Sequence, residues 1–134
     1  MTKDELEKLL LTFMAVYVAV TVLGYVIHAL LLASDYERVS HLFRTQPLMP
    51  FLLLANASFS LAFVWIYAAC VEAKPLVGQG LRFGLAIWLL WVVPVFLIQY
   101  AGQPFQGSMI GKEIGLELVD MLILGLLAAV LYRK

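Results

Sequence analysis

The sequence predicts an all-α integral membrane protein, an antiparallel four-transmembrane-helix bundle forming a single membrane domain over residues 1–134. Three observations predict it. Of 134 residues, 63% are hydrophobic and only 13% are charged, where a soluble domain has about 45–50% apolar and about 25% charged residues. Mean hydropathy is +0.95, more apolar surface than a water-soluble fold of this size can hide. The apolar residues also gather into four runs parted by loops containing Pro, Gly and charge, and a run of about 20 apolar residues is long enough to cross the hydrocarbon core.

Residues 1–8 are a polar lead-in. Thr2 and Glu5 have the spacing of a capping box, so a helix is expected to begin ahead of the membrane. Asp4, Glu5 and Glu7 suit the positive end of that helix. More acids than bases, followed by a long apolar run, do not read as a signal peptide. The first span covers about 9–33, long enough to tilt or protrude, and Tyr17, Thr21, Gly24 and His28 share one of its faces. Loop 34–47 interleaves charged residues with Tyr36, Val39, Leu42 and Phe43. That pattern fits either a short interfacial helix or a solvated loop. The second span covers about 48–71. Pro50 suits its first turn, Asn56, Ser60 and Tyr67 share a face, and Ala55, Ala57, Ser58 and Ala62 permit close helix approach.

Loop 72–80 holds Lys74, Pro75, Gly78 and Gly80, and so short a loop joins antiparallel neighbours. The third span covers about 81–101. Arg82 at its start can snorkel to headgroups, and Pro94 removes a backbone hydrogen bond and predicts a kink. Trp88 and Trp91 lie too deep for an interfacial belt, which leaves packing or the wall of a ligand pocket. Loop 102–112 leads to the fourth span, about 114–132, which ends near the interfacial anchor Tyr132.

The fourth span carries the chemistry. Glu113, Glu117 and Asp120 fall at i, i+4 and i+7, on one helical face. Gly111, Gly115 and Gly125 fall on the opposite face, so protein is expected to cover both sides. Gly111 and Gly115 have the GxxxG spacing of a helix interface. Four spans put both termini on one side. Lys3, Lys8, Lys74, Arg82, Arg133 and Lys134 lie there, against Arg38, Arg44 and Lys112 on the other. The positive-inside rule therefore expects cytoplasmic termini in a bacterial inner membrane.

That orientation brings His28, Asn56, Gln99, Tyr100, Glu117 and Asp120 to one depth, most within roughly 5–12 Å of the outer boundary at about 1.5 Å rise per residue. A central carboxylate costs about 2.5–3.5 kcal/mol within a span, and less near its end. Two on one helix need pairing, protons or a cation. His28, Asn56, Gln99, Tyr100, Glu117 and Asp120 are thus the candidate ligand- or proton-binding set, with Trp88 and Trp91 as pocket wall. The bland alternative is structural: Glu113 and Glu117 reach the headgroups and Asp120 bonds to Asn56 or to backbone. One imidazole and two carboxylates, His28, Glu117 and Asp120, can ligate zinc or manganese, but no spacing motif announces a metal and none is assigned.

The run Tyr100-Ala101-Gly102-Gln103-Pro104 with Lys112 and Glu117, together with His28, Tyr36 and Arg44, resembles small four-span bacterial membrane proteins that carry no assigned activity. The resemblance implies the same topology and membrane, and no chemistry.

Other function classes drop out. Formal net charge is +0, which gives no basis for nucleic-acid binding. A single cysteine, Cys70, excludes an internal disulfide and a multi-cysteine metal site. No phosphate loop, nucleophile elbow or HExxH motif occurs, no cofactor is assigned, and Ser108 has no visible base. The expected partners are the lipid bilayer, further copies of the chain or a larger membrane complex, and a small lipophilic ligand. The leading expectation is a non-enzymatic accessory or scaffolding subunit. Its rival is a small-molecule or proton-linked carrier using the polar layer. Third comes a membrane enzyme acting on a lipid or quinone.

Overall fold

The computed structural model describes residues 1–134 and is all-helical. Helix α1 (Lys3–Tyr25) continues through a π-helical turn, Val26–Leu31, and is followed by the short α2 (Ala33–Arg38) and a 3-10 turn, Ser40–Leu42. Helix α3 is Met49–Cys70. Helix α4 (Leu76–Ile87) passes through a second π turn, Trp88–Val92, into α5 (Val93–Gly102), and α6 is Gly107–Leu131. Four continuous helices, Lys3–Leu31, Met49–Cys70, Leu76–Gly102 and Gly107–Leu131, are long and apolar enough to cross a membrane.

Local chemistry sets the ends. Thr2 and Glu5 form the expected capping box, each side chain bonded to the other's backbone N–H. Pro50 lies in the first turn of α3, where its missing N–H costs nothing. The third and fourth helices start earlier than the predicted spans, at Leu76 and Gly107. Gly78 and Gly80, read as loop from sequence, are helical. Gly80 is small because α6 crosses there: a Cβ on it would lie 2.7 Å from the Gly125 carbonyl oxygen. At Pro94 no N–H is available for the carbonyl four residues back, and the chain takes its wider π turn just upstream.

Helix α6 is the centre of the packing. Of its most apolar stretch 39% is buried, against 17–22% in the other three helices. It packs most extensively on α4 and also against α1, which in turn packs against α3. The main core gathers Val16, Phe63, Val64, Tyr67, Leu124 and Ala128 around this axis. A smaller cluster of Val39, Phe105, Met109 and Ile110 closes over the start of α6. Outward faces are apolar instead: Phe51, Trp65, Leu90 and Ile98 are 69–71% exposed.

The glycines of α6 divide. Gly125 meets Gly80 and Gly84 backbone to backbone. Gly111 and Gly115 are exposed, with open space where a Cβ would stand. The expectation of cover on both faces of α6 therefore fails at these two positions within one chain. The helix winds about 100° per residue, and only its Gly125 end turns this face towards α4.

Candidate functional site

The acid stripe of α6 faces inward. Glu113, Glu117 and Asp120 are all buried, at 1%, 9% and 3% exposure. They meet His28 on the π turn that ends the first long helix. A π turn adds one residue to the helical ring and rotates the side chains that follow, which places the imidazole between two turns of α6. His28 Nδ1 lies 3.4 Å from Glu113 Oε1, and Nε2 lies 3.2 Å from Glu117 Oε1. Asp120 stands beside Glu117, one turn further along.

Tyr36 completes the group. Helix α2 folds back from α1 and is pinned to α6 by buried Asp35, which accepts from Lys112 Nζ at 3.2 and 3.3 Å. This brings the Tyr36 hydroxyl between the first and last long helices. It donates to Glu113 Oε1 and lies 3.1 Å from His28 Nδ1. A hydroxyl donates one proton only. With that proton on Glu113, the Tyr36 oxygen accepts from His28 Nδ1–H. Burial, and then the Glu113 carboxylate, push the Tyr36 phenol above its ordinary pKa, so it stays a donor.

The charges do not balance. Three carboxylates face a single imidazole, and no lysine or arginine lies within ion-pair distance of them, since Lys112 is held by Asp35. Glu113 Oε2 and Asp120 Oδ1 are buried and accept no hydrogen bond. Such oxygens are rare in native interiors. A cavity of about 160 Å³ reaches Glu113 between Tyr36, Phe43, Phe96, Gln99 and Phe105. A larger one, about 470 Å³, lies elsewhere, by Tyr67, Glu72, Lys74 and Arg82. Its charges are a surface pair, where the hydrogen bond and charge of Lys74 hold the Glu72 carboxyl below its usual range.

The structure brings together His28, Glu117 and Asp120 from the predicted set and adds Glu113 and Tyr36, which that set left out. Glu113 is legible on the acid stripe, but only the structural alternative gives it a place, at the headgroups with Glu117. Tyr36 lies 77 residues from Glu113 in sequence, and no local signal joins them. Gln99 lines the cavity without touching the imidazole. Asn56 departs from the expectation: its amide donates to Thr21 Oγ1 at 3.2 Å, within the α1–α3 contact, about 10 Å along α1 from His28 by helical rise. Tyr100 is 51% exposed, and its ring stands over Gly107. Trp88 is a strut, donating from Nε1 to the Ile114 carbonyl at 2.9 Å. Trp91 is 57% exposed, and neither tryptophan lines either of these two cavities. No protein-family model, curated protein or solved structure matches this chain.

Proposed function

We propose that this chain is a multi-pass membrane protein of four antiparallel spans that binds a small cationic ligand in the imidazole–carboxylate cluster, as a carrier or binding protein. The observation that carries the reading is the pair of His28 contacts, one carboxylate at each ring nitrogen, beside a third buried acid with no lysine or arginine paired to it. Buried excess negative charge is costly in a low-dielectric interior. A site that holds positive charge relieves that cost. The cavity bounded by Tyr36 and Gln99 supplies a route to Glu113.

The membrane reading is supported by the apolar outer faces and the four long helices. Antiparallel order is supported at both ends. Lys134 acts on the charges of both Glu5 and Glu72, while Asp35 meets Lys112 and Phe43 meets Phe105 at the other end. With the positive-inside bias, the termini lie in the cytoplasm and the cluster opens towards the outer face of a bacterial inner membrane. The test is labelling of Gln99→Cys in a Cys70→Ser background with a membrane-impermeant thiol reagent. Reaction from the outer face only is expected, with Trp65→Cys, on the lipid side, unreactive. An inert Gln99→Cys sinks the open-pocket reading.

A second reading, an accessory or scaffolding subunit, is favoured by the uncovered Gly111–Gly115 face. It is compatible with a bound cation, and oligomer mass tests it separately.

A further inference from the structure

Resting on the cation-binding reading, we propose that His28, Glu113 and Glu117 ligate one divalent transition-metal ion of the zinc class, with Tyr36 orienting the imidazole. Three observations support it. The first is donor geometry. One ligand atom from each of the three residues lies within 4.8 Å of the others. Zinc–nitrogen and zinc–oxygen bonds of about 2.0–2.2 Å set tetrahedral ligand atoms about 3.3–3.6 Å apart. The 3.2 Å between His28 Nε2 and Glu117 Oε1 is already close to one such edge, and the proposal requires the Glu113 carboxylate to turn in from within 4.8 Å to complete the set.

The second is the hydrogen bonding around the ring. A metal-bound histidine characteristically gives its other N–H to a fixed acceptor, which selects the tautomer and the ring orientation. The Tyr36 oxygen, 3.1 Å from Nδ1, is that acceptor, because its own proton goes to Glu113. The Nε2 lone pair then points at a carboxylate oxygen. The 3.2 Å between Nε2 and the Glu117 oxygen needs a proton or a metal ion between the two atoms, and it is the metal-bound form that leaves Nδ1–H as the ring's only donor.

The third is the orphaned oxygen. Glu113 is 1% exposed, and its Oε2 has no partner at all. A neutral imidazole, Glu113, Glu117 and a divalent ion sum to zero charge, which leaves Asp120 as the one uncompensated acid of the cluster. An imidazole–dicarboxylate set of three ligands leaves a fourth position free. The oxygen-rich donor set selects zinc or manganese over softer ions, and zinc binds the more tightly of the two.

The test uses the full chain in detergent or nanodiscs, in a Cys70→Ser background, stripped with chelator and titrated with Zn2+ and then Co2+. One saturable equivalent per chain is expected, with the intense visible bands of low-coordinate Co2+. Glu117→Gln, Glu113→Gln and His28→Asn should each weaken binding about 100-fold or more. Tyr36→Phe, which loosens the ring, should weaken it about 10-fold, and Glu7→Gln should leave it unchanged. Circular dichroism and elution volume establish that each variant is folded. His28→Cys provides a readout that survives failure of the other variants, since a thiolate ligand adds a charge-transfer band to the Co2+ spectrum. Absence of saturable metal binding by the folded chain overturns the proposal. Binding that the three ligand substitutions leave intact, or a His28→Cys protein with Co2+ bound but no thiolate band, overturns it equally. Failure here and failure of the wider reading are separable. A reactive Gln99→Cys in a chain that binds no metal keeps the pocket and removes the metal, while an inert Gln99→Cys in a chain that binds zinc does the reverse.

Discussion

The two halves of α6 are held in opposite ways. From Met121 onward the helix presents Leu124, Gly125, Ala128 and Ala129, all buried, and meets α4 at Gly80 and Gly84 with backbone against backbone. Before Met121 it presents Glu113, Glu117 and Asp120 to one imidazole and one phenol. In lipid there is little hydrophobic drive between helices, so close packing of small residues supplies the association. The glycine half needs nothing further to account for its sequence. The acid half is poor packing material: it leaves two buried oxygens without partners. That difference separates scaffold from site along a single helix.

The largest effect is expected at the glycines. A Cβ at Gly84 would collide with the Met121 backbone, which cannot move without parting the two helices. Gly84→Leu is therefore expected to cost about 3 kcal/mol, the upper part of the overpacking range, and to lower the unfolding midpoint in detergent sharply. Gly24 is the control, since nothing lies within 4 Å of its Cβ position. Gly24→Ala should stabilise α1 by about 0.5–1 kcal/mol. Equal effects from the two would mean that the α4–α6 contact is not close.

The acid half should respond less, and through coupling. His28→Ala strips Glu113 and Glu117 of their only nearby cation-forming group. Removing one partner of a fully buried pair costs about 3–5 kcal/mol. The His28 side chain is 38% exposed, and carboxylates can take protons, so about 1–2 kcal/mol is expected. In a Glu113→Gln, Glu117→Gln background the same substitution should cost much less, and the double-mutant difference reports the interaction directly. Identical costs in both backgrounds would make His28 a packing residue. Tyr36→Phe removes one hydrogen bond to a buried carboxylate and should cost about 1–1.5 kcal/mol. Substituting Asn56→Ala should leave the response to Tyr36→Phe unchanged, because Asn56 is bonded to Thr21 instead.

The fold was far more legible than the site. Length and hydropathy mark four long apolar helices within a few residues at most of their ends, and the 3.6-residue count alone puts three acids on one face. The exceptions have local physical causes. Gly78 and Gly80 read as loop in the sequence because glycine is the poorest helix former after proline, yet both are helical, and at Gly80 a neighbouring backbone occupies the place of a side chain. Depth alone grouped Asn56 and Tyr100 with the acids. Depth fixes position along a span and leaves the direction of the stripe open, and both residues point elsewhere. Tyr36 was beyond reach for a further reason. It arrives through the fold-back of α2, secured by Asp35 and Lys112, and charge pairing across 77 residues leaves no periodic trace.

The smallest expected effect sits on the face of α6 that neither comparison half uses. Gly111 and Gly115 keep the GxxxG spacing, but a Cβ on either meets nothing within 4 Å. Within one chain, Gly115→Leu therefore has no clash to create, and the unfolding free energy should change by less than about 0.5 kcal/mol. Were a second copy seated on this face, the same leucine would hold the two backbones apart, as a side chain at Gly84 would do inside the monomer. Crosslinking in native membranes is then the sensitive measurement. A shortened oligomer ladder with an unchanged midpoint is expected, since close approach is the one property of this stripe that the single chain leaves unused. An unchanged ladder would leave the accessory-subunit reading without its structural support, and the acid cluster would stand alone as the part of the molecule that packing does not explain.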